Sequence, residues 1–377
     1  MQTTGKTAIT VSPAGQQRVL SLDVMRGLIM ILLAAESCHL YVSLEAQFPA
    51  GPAGSVVAQF FHHPWHGLRF WDLVQPAFMT MAGAALYISW YYKSLKGVSW
   101  ETNFRHVAIR CLKLFICGTA LHCVYAGHMV WELWNVLTQL AFTTIIAYLF
   151  IRKTAIFQLI LSILLLAITE ALYRLVLVPG FDQPFTESRN FGAWFDTIVM
   201  GKINSDGWVF INIIPTAAHT IWGVLAGKLL VSAKPAAPKI RTMLVAAAVA
   251  LVLGYALDLT GVTPIIKRIS TSSFALVSGG YVLLILAVLY YITDMKGWNK
   301  YAWICTVVGM NAIFIYLFFE TVGVQWVNGT VAIFTDGVTG LAGIPSTVQA
   351  VIASLVTLFL EWCLCFWLYK RKIFFKL

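Results

Sequence analysis

Three histidines in one short stretch are the side chains of this sequence best suited to chemistry. His62, His63 and His66 lie in FHHPWHGLRFWDLVQPAF, residues 61–78, together with Asp72. Histidine titrates near neutral pH, so an imidazole can accept and return a proton or carry an acyl group. The stretch therefore predicts an acid–base or acyl-transfer site. The alternative is that the histidines are interfacial residues bonded to loop backbone or water, with the neighbouring tryptophans as membrane anchors.

The composition places this stretch in a membrane protein. Of the 377 residues, 59% are hydrophobic and 11% are charged, whereas about a quarter of the residues of a soluble domain are charged. Apolar runs close to the roughly 20 residues that cross a bilayer as a helix recur along the chain. We predict an all-α polytopic membrane protein with about ten transmembrane helices. The spans are predicted near residues 20–42, 70–92, 106–126, 131–151, 154–177, 208–231, 242–259, 272–293, 302–326 and 348–370.

The basic residues indicate how these spans are oriented. With ten spans, twenty of the 26 Lys and Arg residues fall on one side of the membrane and six on the other. The positive-inside rule then predicts that both termini are cytoplasmic and that His62 faces the exterior or periplasm. The net charge of +10 is spread over short connections, so it indicates topology and no nucleic-acid partner.

The predicted topology defines the parts of the chain. We expect a cytoplasmic N-terminal tail over residues 1–18 and a single transmembrane domain over 19–377. Long outward loops are predicted at 43–69, 178–207 and 327–347. The seven cysteines lack the spacing of a zinc site or of a disulfide framework, and no metal motif is present.

Several ionisable residues fall inside or beside predicted spans, where each needs a partner or a role. Asp72 opens the second helix, where a carboxylate suits the helix N-terminus and can also orient a histidine. Asp23 and Arg26 are three residues apart on the first helix and can pair with each other. Asn311 interrupts the ninth span, where it can bond to a neighbouring helix or donate to a developing oxyanion.

A basic stripe is predicted at the cytoplasmic end of the third helix. His106, Arg110 and Lys113 follow one another at spacings of four and three residues, which places them on one helix face. Such a stripe is either solvated or directed at lipid phosphates, or it binds the phosphates of a cytoplasmic nucleotide cofactor.

An ordered series of short motifs resembles the landmarks of the heparan-alpha-glucosaminide N-acetyltransferase family and its bacterial relatives. The motifs are SLDVMRG at 21–27, HHPWHGLRFWDLVQPAF at 62–78, MAGAAL at 81–86, SDGW at 205–208 with IPTAAHTIWGVLAGKLL at 214–230, TSSFAL at 271–276 and VGMNAIFIYL at 308–317. They occur in the order that the family shows, over nearly the whole chain.

The resemblance implies an activity and assigns roles. Proteins of this family move an acetyl group from cytoplasmic acetyl-CoA to the amino group of a terminal glucosamine across the membrane. Their essential histidine stands three residues before the Trp of H-x-x-W-x-G-L, which corresponds to His62. Asp72 matches the Asp of the DLV stretch, and Asn311 matches the Asn of the late G-x-N motif. We therefore expect His62, Asp72 and Asn311 to be catalytic, with His62 as a base or as a transient acetyl carrier.

The same hypothesis predicts how the substrates bind. We expect His106, Arg110 and Lys113, together with Arg26, to bind the phosphates of acetyl-CoA. The expected partners are an amino sugar and membrane lipid, a homodimer is a possible assembly, and the expected location is the bacterial inner membrane. Two other functions fit the same residues. One is a secondary transporter of a sugar or small anion, and the other is an O-acetyltransferase that acts on a cell-envelope glycan.

Overall fold

A computed structural model describes residues 19–375, and this part of the chain is mostly helical. Its α-helices are α1 Leu20–Ser37, α2 Leu40–Gln47, α3 Gly51–Val57, α4 Val74–Leu95, α5 Trp100–Ala126, α6 Val136–Leu149, α7 Ala155–Leu175, α8 Phe191–Met200, α9 Ile213–Val231, α10 Ala236–Leu259, α11 Ser272–Tyr290, α12 Ala302–Gly309, α13 Ala312–Phe318, α14 Asn328–Leu341 and α15 Ser346–Lys370. Among the described residues there is no β-strand, only isolated bridges. The predicted tail of residues 1–18 lies outside them.

Within residues 19–375, seven helical segments are long and apolar enough to cross a membrane. The bent pair of α1 and α2 makes an eighth if it counts as one span, and it turns by 63°. The turn falls where His39 adopts a left-handed conformation, with φ 61°. The 22-residue α4 and the 14-residue α6 occupy the two remaining predicted segments. An all-α polytopic membrane fold is confirmed, and the count of ten spans and the sidedness of the termini stay predictions.

Side-chain caps fix where several helices begin. Each capping residue is a Ser, Thr or Asn whose side-chain oxygen accepts a hydrogen bond from a backbone N–H of the first turn, which would otherwise be unsatisfied. The caps are Ser99 for α5, Asn135 for α6, Thr154 for α7, Asn190 for α8 and Thr271 for α11.

The described chain divides into two compact units. Unit 1 contains His63–Leu68 and Asp72–Trp298, together with the first residues of α1. Unit 2 contains Asp23–His62, Arg69–Trp71 and residues 299–375. The single transmembrane domain predicted over residues 19–377 stays a prediction, and its two compact units are described one after the other.

Helix α9 is the central helix of unit 1. It packs against α4, α6, α7 and α11, and 78% of its most apolar window is buried inside the protein. The candidate spans α7 and α10 are only about a fifth buried by the same measure, at 22% and 17%. The side chains that α9 presents are therefore determined by its helical neighbours.

Glycines allow α4 and α9 to touch backbone to backbone. A Cβ on Gly83 would overlap the main-chain oxygen of Thr220, and one on Gly223 would overlap that of Thr80. One turn further on, a Cβ on Gly227 would lie 2.8 Å from the main-chain oxygen of Ala84. Small residues spaced four apart permit this close approach in membrane proteins. The MAGAAL and GVLAG landmarks are therefore packing motifs.

Unit 2 is built around α15, which packs against α2, α12 and α14. Helices α1 and α12 also meet through a glycine, because a Cβ on Gly27 would overlap the main-chain oxygen of Cys305. After α13 the chain widens into a π-helix over Phe319–Val327 and continues as α14. Much of the connection predicted at 327–347 is thus helical.

Replacing Gly223 by Ala tests the close contact of α4 and α9. The added methyl group must push the two backbones apart, so Gly223→Ala should lower the free energy of unfolding by about 1–3 kcal/mol. The measurement is the apparent melting temperature of the purified protein in detergent. Gly337→Ala is the matched control, since no described atom lies within 4 Å of its Cβ. Equal melting temperatures for the two variants would contradict the packing account.

Candidate functional site

The segment His63–Leu68 is held to the rest of unit 1 at several points. The backbone N–H of Gly67 donates to the carbonyl of Ile265 at 2.8 Å, and His66 forms an antiparallel bridge with Ile266. The indole N–H of Trp65 donates to the carbonyl of Phe185 at 2.8 Å. The histidine-rich stretch is therefore not a free loop, because unit 1 fixes its main chain.

Gly67 is required by this arrangement. Its φ is +140°, and a Cβ there would lie 2.6 Å from Nε2 of His63. Only glycine combines that backbone conformation with the space that the His63 ring occupies. The glycine of the H-x-x-W-x-G-L motif therefore shapes the turn, and the ring of His63 packs against it.

Asp72 is the most deeply buried charged group of the predicted site. It has no exposed surface and lies in a 3₁₀ turn, Phe70–Leu73, just before α4. Its Oδ2 accepts a hydrogen bond from the backbone N–H of His63 at 3.3 Å. Its Oδ1 lies 3.6 Å from Nζ of Lys267, a residue that is 5% exposed. Sequence reasoning placed Asp72 correctly at the start of a helix but did not identify Lys267 as its partner.

A second cation and an indole ring lie beside this pair. The ammonium of Lys267 is 5.2 Å from the ring centroid of Trp208, and the guanidinium of Arg268 is 5.8 Å from it. Arg268 also lies 3.7 Å from Oε1 of Glu187 and donates to the main-chain oxygen of Asp206. We call Asp72, Lys267, Arg268 and Trp208 the buried-charge cluster. The SDGW landmark contributes its tryptophan to this cluster.

His62 belongs to unit 2 and has aromatic surroundings. Its main-chain oxygen accepts a hydrogen bond from Nη1 of Arg69 at 3.1 Å. Its half-buried ring lies 6.5 Å from the ring of Trp71. Trp71 itself is buried and packs edge-on against Tyr41 at 5.2 Å. Arg69 therefore holds the main chain of His62, and the apolar ring of Trp71 lies near the imidazole.

Asn311 is buried at the break between α12 and α13, where its amide binds main chain. Its Nδ2 donates to the carbonyl of Ile373 at 2.9 Å, and its Oδ1 accepts from the backbone N–H of Phe375 at 2.9 Å. The ring of Phe375 stacks on Phe314 at 4.1 Å. In unit 2, Asn311 thus holds the end of the described chain against α13. Its expected catalytic role stays a prediction.

The predicted basic stripe lies on one exposed face of α5. His106, Arg110 and Lys113 are all exposed, and Nδ1 of His106 donates to the carbonyl of Thr102 at 2.8 Å. The exposed apolar residues of the same helix include Ile109, Leu112 and Ile116. In unit 2, Arg26 lies 3.6 Å from Asp23, as the spacing of three residues predicts. The stripe is accessible to a phosphate, whether from a cofactor or from a lipid.

A further polar network of unit 1 joins α5, the connection between α5 and α6, and the chain just after α8. Glu132 contacts Nδ1 of His122 and Nζ of Lys202, both at 2.6 Å. Burial opposes the charged form of Glu132, but the hydrogen bonds from Lys202 and His122 outweigh it and leave the pKa of Glu132 below its usual value. No periodicity in the sequence reveals this network, because His122 lies on α5, Glu132 in the connection that follows α5, and Lys202 just after α8.

Asp196 lies on α8, in the connection 178–207 that was predicted to face outward. It is fully buried and accepts hydrogen bonds from Nε1 of Trp134 at 2.6 Å and from the backbone N–H of Phe210 at 3.0 Å. Burial raises the pKa of Asp196 to about 7, against the lowering effect of these two donors. Asp196 therefore binds a proton more strongly in the folded protein than in the unfolded chain.

The raised pKa of Asp196 predicts how stability depends on pH. An unfolded aspartate ionises near pH 4, so between about pH 4 and pH 7 the unfolded chain binds fewer protons than the folded one and stability falls as pH rises. The melting temperature should therefore be higher at pH 5 than at pH 8. Asp196→Asn should flatten this slope, and Asp182→Asn, which alters an exposed carboxyl of the same connection, should not. An unchanged slope in Asp196→Asn would contradict the assignment.

Comparison with known families adds to this geometry. A family model described as heparan-alpha-glucosaminide N-acetyltransferase, catalytic, matches residues 18–257, well over half of the 377-residue chain. The match contains His62, Asp72 and the basic stripe, and it ends before Lys267. A search of curated proteins found no match. The family resemblance drawn from the ordered motifs is confirmed.

Proposed function

Because the chain belongs to the heparan-alpha-glucosaminide N-acetyltransferase family, we propose that this integral membrane protein transfers the acetyl group of cytoplasmic acetyl-CoA to an amino sugar. The acceptor is the amino group of a glucosamine-type sugar at the outer or periplasmic side of the bacterial inner membrane. The thioester bond breaks and an amide bond forms. CoA leaves as the thiol, and an ammonium acceptor releases one further proton.

The observation that carries this proposal is the family match over the stretch that holds His62 and Asp72. The structure adds physical support, because Asp72 is fully buried and paired with Lys267 just before α4. Burying an ionisable group inside a membrane protein carries a large desolvation cost, so such a group is a functional-site candidate by default. A purely structural helix start has no need of this pair, since an uncharged cap suffices.

His62 supplies the proton chemistry in this proposal. As a general base it takes a proton from the acceptor ammonium so that the free amine attacks the thioester carbonyl. As a nucleophile it takes the acetyl group first and passes it to the amine. Its neighbours Arg69 and Trp71 suit both roles, since one holds the main chain and the other covers a side of the ring. Isolation of an acetylated protein in the absence of sugar would select the second route.

Asp72 acts in this proposal through the peptide that follows His62. Its carboxylate accepts the hydrogen bond of the His63 N–H, and a charged acceptor makes such a bond stronger than a neutral one. Asp72 thus fixes the main chain at His63, the residue that follows His62 in the sequence. The side-chain amide of Asn311 binds the main chain of Ile373 and Phe375. A role for Asn311 in the reaction is proposed from the family motif alone.

The donor binds, we infer, through its phosphates at the basic stripe. Arg110 and Lys113 are exposed on one face of α5, and guanidinium and ammonium groups suit phosphate oxygens. His106 lies one turn before Arg110 on that face. Arg26 is already paired with Asp23, so its contribution is the weaker part of this inference.

Removing His62 tests the proposed function. Purified protein in detergent should transfer radiolabelled acetyl from acetyl-CoA to glucosamine, and His62→Ala should lower the rate by about a hundredfold or more. His128→Ala, which alters an exposed histidine, is the control and should keep the wild-type rate. A product that resists mild alkali is an amide, whereas an alkali-labile ester would indicate the O-acetyltransferase. Sugar counterflow without acetyl-CoA would indicate the transporter.

Neutralising the stripe tests where acetyl-CoA binds. Loss of charge-assisted hydrogen bonds worth about 1.5–3 kcal/mol should raise the KM for acetyl-CoA about tenfold or more in Arg110→Gln with Lys113→Gln, and leave kcat nearly unchanged. Arg152→Gln alters another exposed cation and serves as the control. If the double variant keeps the wild-type KM, the stripe faces lipid phosphates and the donor binds elsewhere.

A further inference from the structure

We propose that Lys267 is a positioning residue for the acetyl transfer, because its ammonium keeps the buried carboxylate of Asp72 charged and thereby holds the main chain at His63. This inference rests on the proposed function. Lys267 lies between α10 and α11 and beyond the region that the family model matches. No sequence motif assigns it a role, so the inference comes from where its side chain lies.

The first step concerns the charge of Asp72. Burying an isolated carboxylate carries a large desolvation penalty, and a buried carboxylate without compensation takes up a proton instead. Asp72 has no exposed surface and Lys267 has 5%, so the solvent stabilises neither charge. The contacts that offset this cost include the ammonium at 3.6 Å and the His63 N–H at 3.3 Å. The positive charge of Lys267 and the negative charge of Asp72 therefore stabilise each other inside the protein.

The second step concerns how the Lys267 backbone is fixed. The carbonyl of Lys267 accepts the N–H of Ser270 at 2.9 Å. The adjacent Ile266 N–H donates to Oγ1 of Thr271 at 3.0 Å, and the Arg268 carbonyl accepts Nδ2 of Asn212 at 2.6 Å. Both flanking residues of Lys267 are thus tied to the surrounding structure. The chain holds this ammonium in place instead of letting it extend into water, as an exposed lysine would.

The third step concerns the other neighbour of the ammonium. Nζ of Lys267 lies 5.2 Å from the ring centroid of Trp208, and a desolvated cation over an indole ring is stabilised by the negative face of the ring. Neighbouring Arg268 shares the ring but is engaged by Glu187 and Asp206. Lys267 is therefore the cation that joins the tryptophan of the SDGW motif to the aspartate of the DLV motif.

Other titratable groups near the pair bear on any pH effect. Those described on the elements of unit 1 that pack around it are His63, His66, Glu187, Arg268 and Asp258, the last of which contacts Nε2 of His66 at 2.7 Å and the Ile265 N–H at 2.8 Å. Of these, His63 contacts Asp72 through its main-chain N–H. The pH effect of removing the Lys267 charge should therefore report on Asp72.

The test compares Lys267→Met with Lys267→Arg in rate measurements across pH. Lys267→Met removes the charge but keeps the length, so kcat near neutral pH should fall about tenfold or more with little change in the KM for acetyl-CoA. Activity should recover as pH rises, because deprotonation of Asp72 restores the charged acceptor. Lys267→Arg should retain most of the activity and the wild-type profile. Lys202→Gln, which removes a cation paired with Glu132 elsewhere in unit 1, should keep the wild-type profile.

A double variant separates positioning from folding. If Lys267→Met melts early, Asp72→Asn combined with Lys267→Met removes both charges and should melt closer to wild type than Lys267→Met does, since a neutral pair is tolerated where a single buried charge is not. A pH-independent loss of activity in Lys267→Met would overturn the inference and leave the proposed function standing. An inactive wild-type protein would instead refute the proposed function.

Discussion

The buried carboxylate of Asp72 is the constraint on which the rest of unit 1 depends. A charge without exposed surface in a membrane protein has to be matched inside the protein. The match is Lys267, and bringing it there requires that the connection between α10 and α11 return to the histidine-rich segment. The bond from Gly67 to Ile265 and the bridge from His66 to Ile266 achieve this. The H-x-x-W-x-G-L, DLV and SDGW motifs thus meet around one ion pair.

The family landmarks divide into two physical kinds. MAGAAL and GVLAG supply glycines that let α4 and α9 meet along their backbones, and any side chain at Gly83 or Gly223 would separate these helices. The H-x-x-W-x-G-L motif supplies the turn at Gly67, where the ring of His63 packs. The SDGW motif supplies the indole of Trp208, which lies next to the ammonium of Lys267. The first kind makes a rigid scaffold, and the second kind places ionisable groups at its end.

What the sequence could predict follows from the range of each interaction. Apolar runs and local caps indicate the helices, and the three-residue spacing predicts the pair of Asp23 and Arg26, because these signals act within one or two turns. The partner of Asp72 is far away in the sequence, so no periodicity reveals it. The same holds for Asn311, whose amide binds the returning end of the chain. The stretch 327–347 is glycine-rich and only moderately apolar, which suits a re-entrant or interfacial segment as well as a plain loop, and most of it continues the π-helix as α14.

The central claim is that an acetyl group crosses the membrane to an amine with the help of His62. The most direct measurement uses sealed proteoliposomes of uniform orientation, with glucosamine trapped inside and radiolabelled acetyl-CoA supplied only outside, on the predicted cytoplasmic face. The account predicts that labelled N-acetylglucosamine accumulates in the lumen while CoA stays outside, and that His62→Ala vesicles accumulate almost none. Labelled sugar that forms equally in His62→Ala vesicles, or acetyl-CoA that itself appears in the lumen, would contradict it.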